Sequence, residues 1–279
     1  MRHTRLVPIA ALALAACGGD GGTGPTPARI TALPRALAAS ERTIVEGTTA
    51  FGLQLLRATA AAREADSNTV ISPLSVSMSL GMAYAGAHGE TRAEMARVLR
   101  LGAGGTDTTA LGGYRALMSL LGSLDRGVRF TYANSAWVSR TFPFEPTYLR
   151  DVQQTFGAEV FARDFAAPAT LTELNGWVRD RTQGRIPSII PSIRADEVAL
   201  LVNALHFKGE WRDRFDAGRT ADAPFRVTPG RTMTVRMMQR STGAARAGTV
   251  AGAQVLEIRY GGDALAVTFE VPPVGTLRA

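Results

Sequence analysis

Asn68 to Leu101 reads NTVISPLSVSMSLGMAYAGAHGETRAEMARVLRL, and Val202 to Gln239 reads VNALHFKGEWRDRFDAGRTADAPFRVTPGRTMTVRMMQ. The first stretch opens with the β-branched run Thr69-Val70-Ile71, which predicts a short strand ending at Pro73. Ser72-Pro73 then predicts a helix start, because Ser can cap the free N–H groups and Pro fits the first helical position. The helix that follows carries Leu80 and Tyr84 beside Gly81, Ala83, Ala85 and Gly86, small residues that permit close packing. Gly89 ends it, and Thr91 to Leu99 predicts a second amphipathic helix. The second stretch begins inside Val198 to Phe207, which is apolar at nearly every position. Such a run predicts a central strand covered on both faces.

Outward from these stretches the pattern alternates. Ile44 to Ala62 is helical, with Phe51, Leu55 and Leu56 on one stripe. Ala110 to Leu124 predicts a further helix, Val128 to Ser139 a long strand, Pro146 to Phe156 a helix, Ala158 to Phe161 a short strand and Leu171 to Thr182 a helix. Gly184 and Pro187 interrupt the pattern. Between Pro224 and Pro272 come four or five strand-like runs separated by turn residues. Helices dominate early and strands late, which predicts an α+β domain. At 279 residues, 46% hydrophobic and 20% charged, the chain can bury one large core or two small ones, and wholesale disorder is excluded. Gly and Pro do not recur with a period, so a collagen-like chain is excluded, and no internal repeat is visible.

The N-terminus predicts export. Arg2 and Arg5 precede an apolar run from Leu6 to Ala16, long enough for a signal peptide and too short to span a bilayer. The run ends Leu14-Ala15-Ala16-Cys17, which resembles the lipobox of bacterial lipoproteins. On that reading residues 1–16 are removed and Cys17, the only cysteine, carries lipid; the other reading is an ordinary secretory signal with an incidental cysteine. Several acyl chains give stable anchoring. Residues 17–42 are then read as lipidated cysteine and tether, Gly18 to Pro27 being rich in Gly, and residues 43–279 as the folded domain. Gly19 to Gly24 matches the dinucleotide pattern G-x-G-x-x-G, but without the flanking strand and helix that pattern needs.

Chemistry that would mark an enzyme is sparse. The histidines are His3, His88 and His206, without metal-ligand spacing. There is no H-E-x-x-H, G-x-S-x-G or S-x-x-K pattern, and Lys208 lies in no phosphate loop. One cysteine excludes an internal disulfide and a cysteine-based zinc site. The formal charge is +7, and +5 once the two signal arginines are removed. Lys208 is the one lysine beside 30 arginines, which are scattered among acids rather than massed. That argues for a GC-rich coding bias and no nucleic-acid partner. Nothing demands an enzyme, a cofactor or a metal; an envelope hydrolase with a triad assembled from distant residues is the remaining catalytic reading.

The two opening stretches resemble the serpin family. The motifs are I-S-P-L-S at Ile71, the run from Leu80 to Met95, N-A-L-H-F-K-G-E-W at Asn203, D-A-P-F at Asp222 and V-x-M-M at Val235. Gln183-Gly184-Arg185-Ile186 resembles the family's stretch after the helix that crosses the main sheet. The resemblance implies a fold of three β-sheets with helices clustered at one end. It implies a metastable inhibitor of serine or cysteine proteases whose exposed loop is cleaved, traps the protease as an acyl-enzyme and inserts into the main sheet. It implies shutter-type positions at Ser72, Ser75 and Asn203, where hydroxyl and amide groups sit under the opening point of the sheet. It implies a breach-type position at Trp211, where the loop first enters. The plainer roles are a helix cap and satisfied buried polar groups for the first three, and core packing for Trp211. Against the family pattern the chain is expected to be C-terminally incomplete, lacking about a third of the domain with the reactive loop. A chain so ended is expected to be unstable or to aggregate. The expectation is a monomeric protease inhibitor in its full-length form, anchored by lipid to the bacterial envelope and facing periplasm or extracellular space. The alternative is a non-inhibitory serpin-fold binding protein or an inactive fragment.

Overall fold

A computed structural model describes residues 28–62, 68–101, 107–228, 230–240 and 245–273. Cys17 and the expected signal peptide lie outside the described residues.

Six helices are described: α1 (Ala39–Ala61), α2 (Pro73–Gly86), α3 (Gly89–Val98), α4 (Asp107–Ser123), α5 (Pro146–Phe156) and α6 (Pro168–Arg181). Eight strands accompany them: β1 (Val128–Ser139), β2 (Glu159–Arg163), β3 (Ala199–Gly209), β4 (Ala221–Thr228), β5 (Arg231–Met237), β6 (Arg246–Val250), β7 (Ala253–Tyr260) and β8 (Leu265–Val271). They form three sheets of order β2-β1-β3, β4-β5 and β6-β7-β8. β1 runs parallel to β2 and antiparallel to β3; the other two sheets are antiparallel. This is the expected α+β architecture with three sheets.

Local chemistry explains several boundaries. α2 starts with Pro73 at its first position and Ser72 as N-cap, the Ser72 side chain accepting from the Ser75 N–H at 3.4 Å. α5 and α6 also begin on prolines, where a missing N–H costs nothing. α5 ends at Gly157 with φ of 61°, a left-handed conformation that glycine adopts without strain.

The side chains of β1 alternate between two cores. Phe130, Tyr132 and Ala136 join Met78 and Met82 of α2, Tyr114 of α4 and Phe156 of α5 on one face. On the other, Trp137 packs with Leu174 and Val178 of α6 and Val202 of β3. Trp137 stacks on Phe161 at 4.2 Å and donates its indole N–H to Ser135 Oγ at 3.0 Å.

Three expectations need correction. Residues 68–72 form no strand, and Val70 is 90% exposed. A short β-branched run becomes a strand only when a neighbour accepts its ladder, and none among the described residues does. The run Val198 to Phe207 does lie in a strand, β3, but among the described residues that strand stands at the edge of its sheet and β1 is the central one. The domain boundary at residue 43 falls inside α1. Residues upstream of it are packed: Ile30 N–H donates to Gly262 O at 2.6 Å, and Arg29 pairs with Asp263 at 2.8 Å. Residues 28–42 therefore pack as part of the folded body rather than as a tether, and residues 17–27 lie outside the described residues.

Candidate functional site

The register of β1 against β3 places Asn134 directly opposite Asn203. Asn203 Nδ2 donates to Asn134 Oδ1 at 2.7 Å. Asn134 Nδ2 in turn donates to Phe156 O, the last residue of α5, at 2.8 Å. The pair therefore ties the sheet to the helix layer behind it. Asn203 Nδ2 also lies 3.7 Å from Met78 Sδ of α2. Asn203 Oδ1 is buried and accepts no hydrogen bond among the described residues. A buried acceptor left over in this way is costly and marks a place where a donor would be welcome.

Ser75 and Asn203 line one cleft of about 380 Å³ with Ser79, Leu80, Leu174, Ile190 and Val202 among its walls. It runs under the outer edge of β3, between α2 and α6. Ser72 donates its hydroxyl to Ser75 Oγ at 2.9 Å, but neither serine bonds to Asn203. The three shutter-type positions are thus brought to one region as two separate hydrogen-bonded units: a serine pair at the head of α2 and an asparagine pair across the sheet.

Trp211 lies elsewhere. From Asn203 it is eight residues on, about 26 Å of extended chain. It bridges to Tyr260, stacks on that ring at 4.5 Å and meets Phe215 edge-on at 5.9 Å. Arg240 lies 5.4 Å over Phe215. Around the stack, Arg212 N–H donates to Arg259 O and Gly261 N–H to Glu210 O, both at 2.9 Å. Trp211 is the joint through which the continuation of β3 reaches the β6-β7-β8 sheet, so its packing role is plain in the contacts.

Sequence reading missed Asn134, although a polar residue in an inward position of a long strand must find a partner. It also missed a hydroxyl chain behind the cleft. Ser77 Oγ lies 2.5 Å from Tyr114 Oη and 3.3 Å from Thr48 Oγ1, linking α2, α4 and α1. Burial pushes the Tyr114 phenol up to about 12, so it stays protonated as a hydrogen-bonding group.

Chemically, the arrangement offers a place for a strand. β3 pairs through one edge with β1, and its other edge meets no strand among the described residues. Backbone N–H and C=O groups on such an edge can bind an extended segment, and the cleft beneath supplies apolar pockets and the free Asn203 acceptor. No group of three or more metal-ligating side chains occurs among the described residues.

Comparison with known proteins identifies the family. The family model described as serpin, serine protease inhibitor, matches residues 46–278. Leukocyte elastase inhibitor of Bos taurus is 33% identical over 175 residues, covering 61% of this chain and 45% of that protein. The namesake of Equus caballus is 31% identical over 231 residues, covering 80% and 59%. Cleaved kallistatin complexed with heparin superposes with a TM-score of 0.78 at 24% identity, over 84% of this chain and 70% of that one. Cleaved human thyroxine-binding globulin gives 0.79 at 23%, over 86% and 71%. The chain spans about half the length of the curated relatives it matches. With the family model covering most of its residues, and with the three sheets and helices described, the chain belongs to the serpin family.

Proposed function

We propose that the full-length form of this protein inhibits serine or cysteine proteases by covalent trapping and strand insertion, rather than catalysing a reaction. The observation that supports this most is the outer edge of β3, lying over a cleft that holds Ser75, Asn203 and an unused buried acceptor. An inserting strand would extend the sheet there and offer that acceptor a donor. On this reading the cleavable loop lies in the portion of the relatives' length that this chain does not span. We place the protein, as a monomer, on the bacterial envelope, held by lipid at Cys17 and needing no cofactor.

The test uses the whole gene product and a panel of serine and cysteine proteases that includes an elastase. The expected result is a product heavier than either partner that survives boiling in SDS and fails to form with protease inactivated at its nucleophile. Cleavage of the protein by every protease without such a product would overturn the inhibitory reading and leave the serpin-fold binding protein.

A further inference from the structure

We propose that a cleft walled by Arg29, Arg246 and Arg259 binds the headgroups of anionic phospholipid and sets how the domain sits on its membrane. The cleft encloses about 460 Å³, with Ile30, Thr31 and Asp263 completing much of its lining. It forms where the chain enters the folded body. Arg29 comes from the segment packed against the turn between β7 and β8, Arg246 opens β6, and Arg259 stands near the end of β7.

The register explains why these arginines converge. Arg246 lies opposite Glu257, so the two side chains share a face, and Arg259 follows on that face two residues later. Glu257 is taken by Arg259, at 3.0 Å. Asp263 is taken by Arg29 at 2.8 Å and Arg212 at 3.2 Å. Two carboxylates thus face four guanidinium groups. Arg246 is exposed and has no ion-pair partner among the described residues. Glu270, on the same face, stands opposite Val255, toward the far end of the strands. Arginine presents a planar fork of donors that suits phosphate, and the cleft holds an excess of cation where phosphate oxygens could bind several forks at once.

Position selects the partner. This placement rests on the lipid anchor proposed above at Cys17. Eleven residues separate Cys17 from Arg29, and a chain of that length reaches at most about 40 Å. The anchored domain therefore cannot leave the bilayer surface, and the cleft stands at the tether's attachment point. Each arginine held near an anionic surface favours binding by about fivefold.

The whole gene product from residue 18 onward, which retains every described contact and cannot be lipidated, is labelled and used at nanomolar concentration with vesicles. Vesicles carry either phosphatidylcholine alone or phosphatidylcholine with phosphatidylglycerol. Binding is expected with phosphatidylglycerol and not without it. R246Q, which breaks no described ion pair, is expected to weaken it about fivefold, and R29Q/R246Q/R259Q about a hundredfold. R126Q/R129Q/K208Q, which removes the cations of a second cleft, serves as the control for overall charge and is expected to change binding less than R246Q does. Equal loss in that control, no loss in R246Q, or equal binding to both vesicles would overturn the proposal. The anchor is tested apart, in the whole chain, by incorporation of labelled palmitate and its loss in C17S. Failure there with arginine-dependent vesicle binding intact would remove the anchor and leave the headgroup site.

Discussion

Glu41 shows how one side chain can fix an element and make it sensitive to acid. Its carboxylate is fully buried, at 0% exposure. It receives both Arg35 Nη groups at 2.6 Å and the Ala38 backbone N–H at 2.7 Å. Glu41 stands three residues past the N-cap of α1, so it supplies the cap that the Ala38 side chain cannot. The hydrogen bonds from Arg35, opposed by burial, hold its carboxyl down at about 2 against the usual 4.5. A carboxyl whose folded value is depressed stabilises the fold above its unfolded value and loses that contribution as pH falls through the folded one. We expect E41Q to cost about 2 kcal/mol at pH 7, as a lost charged hydrogen-bond set does, with Arg35 half exposed and partly screened. The difference between E41Q and the native chain in urea titrations should shrink from pH 4.5 toward pH 2. A constant difference over that range would assign the effect to packing. The candidate site residues show a matching limit of legibility. Ser72, Ser75, Asn203 and Trp211 were visible in sequence through motif resemblance, but Asn134 was not. Its role depends on a cross-strand register between residues 69 positions apart, which no local pattern encodes.

At the scale of elements, sequence reading worked where a boundary has its own chemistry. The expected bounds of β1 and α5 match the structure to the residue, and α5 shows why: Pro146 opens it and Gly157, in the left-handed conformation, closes it. It failed where an element depends on distant chain. Residues 68–72 carry β-branched side chains but meet no partner strand, and the apolar run at β3 suggested a central strand although the described sheet leaves it at an edge. Apolar content reports that both faces are covered, not that both edges are paired. Helix packing depended on residues whose value is the side chain they lack. A Cβ on Gly113 of α4 would stand 2.7 Å from Ser40 O of α1, a backbone atom that cannot swing aside. G113A should therefore force α1 and α4 apart and cost about 1–3 kcal/mol, as overpacking does. The measurement is unfolding free energy alongside G122A, where a Cβ meets nothing within 4 Å and the gain in helix propensity should show instead. Equal effects at the two sites would refute a packing origin.

At the scale of the molecule, the three sheets leave apolar side chains in water. Phe225 and Met233 face each other across β4-β5 and are 53% and 46% exposed. Leu256 pairs with Phe269 across β7-β8, and Phe269 is 46% exposed. On the main sheet the outer edge of β3 offers a row of backbone donors and acceptors. Exposed apolar faces and an open strand edge are the two features that natural sheet proteins cover or interrupt. Residues 18–279 expressed alone should therefore bind a hydrophobic dye and self-associate as concentration rises into the micromolar range, with light scattering as the readout. If sheet faces drive the association, F225K together with F269K should raise the threshold concentration. If the β3 edge drives it, a proline at His206, on that strand, should do so and the lysines should not. The two variants therefore say which surface drives the association. A cooperative thermal transition from a soluble monomer would show that neither surface requires covering, and that these residues fold as an independent unit.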